Sequence, residues 1–128
     1  AEWAAADAAI FAEEPLNSNV TAKDLLFYAL MQSEAPLTAK LRQETIGGLE
    51  VWCAYEGALL RLVAYVQDVA NTFPVEQAKW LVFVEALAKR TPLPEHLFIP
   101  QACFSEGSAC QINVRNALEP TGIKFLTL

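Results

Sequence analysis

The sequence is poor in the residue types that most enzymes use for proton and group transfer. It contains one histidine, His96, and a Ser-His-Asp or Cys-His site would have to use it. The residues around His96 carry no nucleophile signature. A phosphate loop is also missing, because no Lys-Ser/Thr pair follows Gly47-Gly48 to hold phosphate or magnesium. We therefore expect a non-enzymatic protein with no catalytic residues and no cofactor.

The sequence signals for a metal site and for a catalytic pair of carboxylates are equally weak. A metal site would have to group His96 with Cys103 and Cys110, at gaps of six residues that exceed the spacing of zinc knuckles. We expect no metal site. Glu56 is the one carboxylate in apolar surroundings, which is where a raised pKa would arise. The simpler interpretation places Glu56 at the edge of the bundle or in an ion pair between helices, where Lys79 could be its partner.

Clusters of positive charge and long apolar runs are absent as well. The chain has 9 Lys and Arg against 15 Asp and Glu, a net charge of −6, and residues 1–34 carry six acids against one base. Nucleic acids need clustered basic residues, so we expect no nucleic-acid partner. No run of 18 uncharged apolar residues exists, so we expect no membrane span. The acids suit a partner protein with a basic surface, or they simply keep the domain soluble.

What the sequence has in quantity is apolar residues, 54% of the chain, with 19% charged residues. At 128 residues this composition predicts a single folded domain. We predict a mainly α fold: a four-to-five-helix orthogonal bundle with an irregular C-terminal segment that includes a β-hairpin as one option. The helical core should cover about residues 21–90, and the irregular tail residues 91–128.

The predicted helices rest on capping residues and on apolar periodicity. Residues 2–13 have helical spacing, and Thr21 with Asp24 resembles a capping box that opens a second helix, which ends between Ser33 and Pro36. A third helix is predicted from 38 to 46, with a kink or break at Gly47-Gly48.

The second half of the chain continues the same pattern. Residues 49–71 are apolar on nearly every side, which indicates a central buried helix. A further helix should begin at Pro74 and present Trp80, Phe83, Val84 and Leu87 along one face. Residues 111–118 are read as a short helix or 111–115 as a strand, and 123–128 as extended. A hairpin turning at residues 120–122 remains an alternative.

The three cysteines bear on the compartment. Cys103 and Cys110 flank a short polar segment containing Gly107, so we favour a disulfide between them, with Cys53 free. A bridge from Cys53 to either partner, or three free thiols, stay open. A disulfide would indicate an oxidising compartment, and a chain that starts at Ala1 is typical of a processed or trimmed protein. We therefore expect a periplasmic or secreted protein.

Several short segments resemble the periplasmic immunity proteins that protect bacteria against amidases delivered by type VI secretion. The resemblance is carried by residues 20–26 (VTAKDLL), by 53–57 (CAYEG), and by 98–100 with Cys103, followed by 111–118 and Pro120. It implies a small helical, disulfide-containing and often dimeric protein that plugs the cleft of a toxin.

The expected function is therefore protein binding, in the style of an immunity or inhibitor protein, with a homodimer as one arrangement. An accessory subunit of a larger assembly, suggested by the proline-rich residues 91–110, is the alternative. A small-ligand pocket between helices, lined by Trp52, Tyr55, Trp80 and Phe83, is the second alternative. The candidate partner surface comprises Asp7, Glu13, Glu14, Asp24, Glu34, Glu95, Phe98, Phe104 and Glu106.

Overall fold

A five-stranded mixed sheet with helices on both faces forms the protein in the computed structural model, which describes residues 19–36, 38–104 and 107–128. The elements in chain order are α1 (Ala22–Gln32), β1 (Lys40–Ile46), β2 (Leu49–Glu56), β3 (Leu59–Ala64), α2 (Gln77–Ala88), β4 (His96–Phe98), α3 (Gly107–Leu118) and β5 (Lys124–Leu126). Three 3-10 turns lie at Val69–Asn71, Gln101–Cys103 and Glu119–Thr121. The predicted four-to-five-helix bundle is wrong.

The strands lie in the sheet in the order of the sequence, β1-β2-β3-β4-β5. β1, β2 and β3 form an antiparallel meander, and β4 and β5 then run parallel to β3. Parallel neighbours need a crossover connection, and α2 and α3 supply it. β2 is therefore the one strand that runs against the other four in the described sheet.

The apolar side chains separate into two layers, one on each face of the sheet. α2 and α3 cover one face, where Trp80, Phe83 and Val114 pack on Val51, Cys53, Leu60 and Leu97. α1 covers the other face, where Leu25, Leu26 and Ala29 pack on Ala54, Leu62 and Phe98. A sheet covered on both faces has strands that are apolar throughout.

This double burial explains why residues 49–71 were predicted as a helix although they form β2, β3 and a 3-10 turn. Residues 38–46, also predicted as a helix, contain the exposed edge strand β1. An apolar run without period-two alternation fits a buried strand as well as a buried helix. Gly47 and Gly48 are not a helix kink: both have positive φ, 55° and 85°, as the two-residue hairpin turn between β1 and β2 requires. Gly57, with φ 61°, starts the second two-residue turn, between β2 and β3.

The predictions for two helices are confirmed. Thr21 accepts a hydrogen bond from the Asp24 amide at 3.2 Å, and the Asp24 carboxylate accepts one from the Thr21 amide at 3.0 Å, so the capping box forms. Asp68 also accepts from the Ala22 amide at 2.7 Å and ties the start of α1 to the segment after β3. In α2 the predicted face is the buried face, although the helix begins at Gln77 and not at Pro74.

The tail is more regular than the sequence predicted. Residues 91–110 supply β4, a central strand, and both Pro94 and Pro100 are buried. The helical interpretation of 111–118 is correct, and α3 extends it back to Gly107. The hairpin alternative at 120–122 is wrong, because β5 pairs in parallel with β4 after the α3 crossover.

The predicted disulfide does not form: Cys53, Cys103 and Cys110 are all free and buried. α3 begins at Gly107, so Cys110 lies in a helix and enters the core beside α2. Burial raises the pKa of Cys53 and of Cys103 to about 12. The disulfide was the reason to expect an oxidising compartment, so the location of the protein stays a prediction.

Within the described segments, no helix is both long and apolar enough to cross a membrane.

Candidate functional site

Strand β1 is the most exposed element of the sheet. It lies at one end of the strand order, and five of its seven residues, Lys40, Leu41, Arg42, Gln43 and Thr45, are exposed. Its pairing with β2 runs without interruption from Lys40 opposite Tyr55 to Ile46 opposite Leu49. Edge strands are usually protected from other chains by short length, proline, bulges or charged side chains, and of these β1 has only the charged side chains of Lys40, Arg42 and Glu44.

The backbone of β1 offers its outer hydrogen-bonding groups at alternate residues. The two-residue turn at Gly47-Gly48 makes Ile46 and Leu49 a hydrogen-bonded pair, and such pairs then recur at every second residue. The N–H and C=O groups of Lys40, Arg42 and Glu44 therefore point toward β2. Those of Leu41, Gln43 and Thr45 point away from β2, to the side of β1 on which no described strand pairs.

A polar cluster, Glu44 with Tyr55, Arg90 and Cys53, fixes this strand to its neighbours. The Tyr55 hydroxyl donates to Glu44 Oε2 at 2.6 Å, and the Arg90 guanidinium donates to Glu44 Oε1 at 2.8 Å. Arg90 also donates to the Tyr55 hydroxyl oxygen at 3.1 Å. Arg90 lies just beyond the end of α2, so the Glu44 cluster joins β1, β2 and α2.

In the Glu44 cluster the pKa of the carboxyl group is lowered and the pKa values of the other three groups are raised, so each group keeps its ordinary protonation state. The hydrogen bond from Tyr55, with the charge of Arg90, lowers the pKa of Glu44. Burial and the bond to Glu44 raise the pKa of Tyr55. Burial alone would lower the pKa of Arg90, but its bonds to Glu44 outweigh burial and raise it. Cys53, buried beside Glu44, stays a thiol.

No member of the Glu44 cluster is poised to exchange a proton near neutral pH, so the cluster suits a structural role better than acid–base catalysis. A second contact holds the same end of β1, because Gly47 approaches the backbone of Phe83 in α2 so closely that a Cβ would lie 2.7 Å from its Cα. α2 therefore holds the edge strand in position, and in the part of the chain that the structure describes no strand pairs with its other side.

The predicted partner residues are dispersed. Asp7, Glu13, Glu14 and Glu106 lie outside the described residues. Asp24 caps α1, Glu95 forms an ion pair with Arg61 at 3.2 Å, and Glu34 is exposed just past α1. Phe98 and Phe104 are buried, one on each face of the sheet, so neither is a surface residue. The structure does not bring the described members together as a surface.

The predicted pocket between helices does not form from its four aromatic residues. Tyr55, Trp80 and Phe83 belong to the layer under α2 and α3, whereas Trp52 packs on the opposite face with α1. An open cleft of about 500 Å³ lies instead beside α3 and β5. It is lined by Arg115, Asn116, Leu118, Glu119, Gly122, Ile123 and Phe125. At this cleft the Arg115 guanidinium lies 5.3 Å from the centre of the Phe125 ring.

Glu56 and His96 also differ from their predicted surroundings. Glu56 ends β2 and pairs with Arg61 at 3.6 Å, because the hairpin brings together two residues that a helix would have held apart. His96 is half-buried at the start of β4, and its Nδ1 has no hydrogen-bond partner in the part of the chain that the structure describes. Among the described residues, no cluster of three or more His, Cys, Asp or Glu side chains could hold a metal.

The sequence interpretation missed β1 as a candidate site, since it assigned residues 38–46 to a helix. Two signals could have revealed the strand. Gly-Gly between Ile46 and Leu49 is a hairpin signal, and Lys40, Arg42 and Glu44 alternate as a strand requires. Comparison with protein-family models, curated proteins and solved structures finds no match to this chain.

Proposed function

We propose that this protein is a non-catalytic protein-binding domain that accepts an added β-strand at the outer edge of β1. The observation that carries the proposal is the seven-residue edge strand with its outward backbone groups at Leu41, Gln43 and Thr45. In strand addition, main-chain hydrogen bonds supply affinity and alternate side chains supply specificity.

The attachment of β1 supports this function in energetic terms. A loose edge would lose conformational entropy when a partner strand binds, whereas a strand already held in position loses less. The Glu44 cluster and the close approach of Gly47 to α2 hold β1 before any partner arrives. The described residues offer no comparable arrangement for catalysis.

The immunity-type role implied by the resemblance lacks such support. The fold is mixed α/β and not all-helical, and the cysteines are free, so two of the features that the resemblance implied are not found. The accessory-subunit alternative rested on residues 91–110, and this segment supplies a central strand of the sheet. No contact among the described residues supports the immunity-type role or the accessory-subunit role.

Photo-crosslinking in the cell tests strand addition. A photoreactive residue at Gln43, which is exposed on β1, should give a discrete adduct, whereas one at Lys79, exposed on α2, should not. Thr45→Pro removes an outward N–H at an edge position where proline is tolerated, so it should abolish the Gln43 adduct. Equal adducts from both positions, or an adduct that survives Thr45→Pro, would count against strand addition, as would no adduct at Gln43.

A further inference from the structure

We infer that the strand added to β1 is β1 of a second copy of this chain, paired antiparallel about a two-fold axis at Gln43; this rests on the proposed function of β1 as a binding edge. The two sheets would join into one continuous sheet. Since the axis stands perpendicular to the sheet, both copies keep their α2–α3 layers on the same side.

The charges on β1 select this arrangement. Lys40, Arg42 and Glu44 occupy one face of the strand and carry both signs. In the pairing centred on Gln43, Arg42 lies directly opposite Glu44 of the second copy, and the two-fold axis repeats that pair. Opposite charges at directly opposed positions stabilise a strand pair, and like charges destabilise it.

Neighbouring registers are worse for the same reason. Two-fold antiparallel pairing keeps side chains on their own faces only when the register shifts by an even number of residues. A register centred on Arg42 still pairs opposite charges, Lys40 with Glu44 of the second copy, but it adds two arginines face to face. A register centred on Glu44 brings two carboxylates face to face. The register centred on Gln43 is also the one that pairs β1 along its full length, from Lys40 opposite Ile46 through Leu41 opposite Thr45.

The backbone is compatible with this register, as it is with every register shifted by an even number of residues. The groups that point away from β2 belong to Leu41, Gln43 and Thr45. Centring on Gln43 places Leu41 opposite Thr45 of the second copy and Gln43 opposite itself. Each outward N–H and C=O therefore meets an outward partner. The side chains of Leu41 and Thr45, both exposed in the single copy, would cover each other.

Cysteine crosslinking tests the register in the full chain. Gln43→Cys places two thiols directly opposite, at a Cα separation of about 5.5 Å that suits a disulfide. Thr45→Cys is the matched control on the same face, because its two copies would lie about 13 Å apart, beyond disulfide reach. With oxidised glutathione, Gln43→Cys should form a covalent dimer and Thr45→Cys should not. The native thiols are buried and do not compete.

Light scattering on the unmodified protein tests the dimer without a crosslink. The mass should approach twice the 14.1 kDa of one chain as concentration rises from about 5 to about 500 µM, since small interfaces dissociate on dilution. Arg42→Glu should leave a monomer over this range, because it faces Glu44 of the second copy. Lys40→Glu makes the same charge change opposite an uncharged residue and should still dimerise.

The outcomes separate this inference from the proposed function. A monomer at every concentration, with no Gln43→Cys dimer, overturns the second-copy inference, as does equal crosslinking of both cysteine variants or dissociation by Lys40→Glu alone. If β1 then gives a photo-adduct to a different protein, strand addition stands and only the identity of the partner falls. If β1 gives no adduct of any kind, both fall.

Discussion

At the residue scale, Glu44 connects the edge strand to the rest of the fold. Both of its carboxylate oxygens are hydrogen-bonded, one to Tyr55 and one to Arg90. The side chains of Glu44 and Arg90 are each about one quarter exposed, so solvent weakens their ion pair only partly. Removing one partner of such an arrangement leaves the other groups desolvated and unpaired, which costs more than the intact bond stabilises.

The stability that Tyr55 adds should depend on pH in both directions. The pKa of Glu44 is lowered in the folded protein, so its contribution is present above its unfolded value, near 4.5, and is lost as pH falls through the folded value. The pKa of Tyr55 is raised, so its contribution is present below its unfolded value, near 10, and is lost as pH rises through the folded value.

Urea unfolding of Tyr55→Phe against the unmodified protein measures this dependence. We expect a loss of about 1–2 kcal/mol at pH 7, where the bond to the carboxylate is intact. The loss should shrink as pH falls below 4.5. Tyr65→Phe is the control for the acid limb, because the Tyr65 hydroxyl bonds to the amide of Gln67, which does not titrate. A Tyr55→Phe loss that stays constant from pH 7 to acid would contradict the role of Glu44.

At the element scale, the β1–β2 hairpin and α2 meet at Gly47. Gly47 and Gly48 both have positive φ, so alanine at either site should cost about 1–2 kcal/mol in backbone strain. At Gly47 the new Cβ would also lie 2.7 Å from the backbone of Phe83, whereas at Gly48 it meets nothing within 4 Å.

Gly47→Ala should therefore destabilise the protein by about 1–3 kcal/mol more than Gly48→Ala, the typical cost of an overpacked contact. Chemical denaturation of the two variants under one set of conditions provides the comparison. Equal losses of unfolding free energy would mean that the hairpin does not pack on α2 as described.

The same elements show how far the sequence predicts the fold. α1 and α2 were predictable because their signals are local: a capping box at Thr21 and an apolar face at 3.6-residue spacing. β2 and β3 were not, because strands buried on both faces lose the alternation that identifies a strand. The register shift in the β2–β3 pairing, between Ala54 and Tyr55, disturbs that alternation further. Because of it, Leu60 and Leu62 of β3 lie on opposite faces of the sheet.

The candidate site was less predictable than the fold. The Glu44 cluster joins residues 44, 55 and 90, which become neighbours only through the hairpin and the end of α2. No local sequence pattern predicts a cluster of residues that lie so far apart in the chain. The disulfide prediction failed for a related reason. Cys103 and Cys110 are close in the sequence, but α3 begins between them and the two thiols remain free.

At the scale of the whole molecule, most of the net charge belongs to acids outside the described residues. All nine basic residues lie within the described residues, together with ten of the fifteen acids, a net of −1. The other five acids, Glu2, Asp7, Glu13, Glu14 and Glu106, account for the remaining −5 of the total −6. The described residues together are therefore nearly neutral, so their net charge opposes the approach of a second copy to β1 only weakly.

The central claim is that the outer edge of β1 binds a second copy, and amide hydrogen exchange of the full chain tests it most directly. In dilute protein the amides of Arg42 and Glu44, which bond to β2, should exchange slowly, and those of Leu41, Gln43 and Thr45 quickly. In concentrated protein the outward three should become protected, and Arg42→Glu should prevent that protection. Outward amides that exchange equally fast at both concentrations, while the inward amides stay protected, would contradict the account.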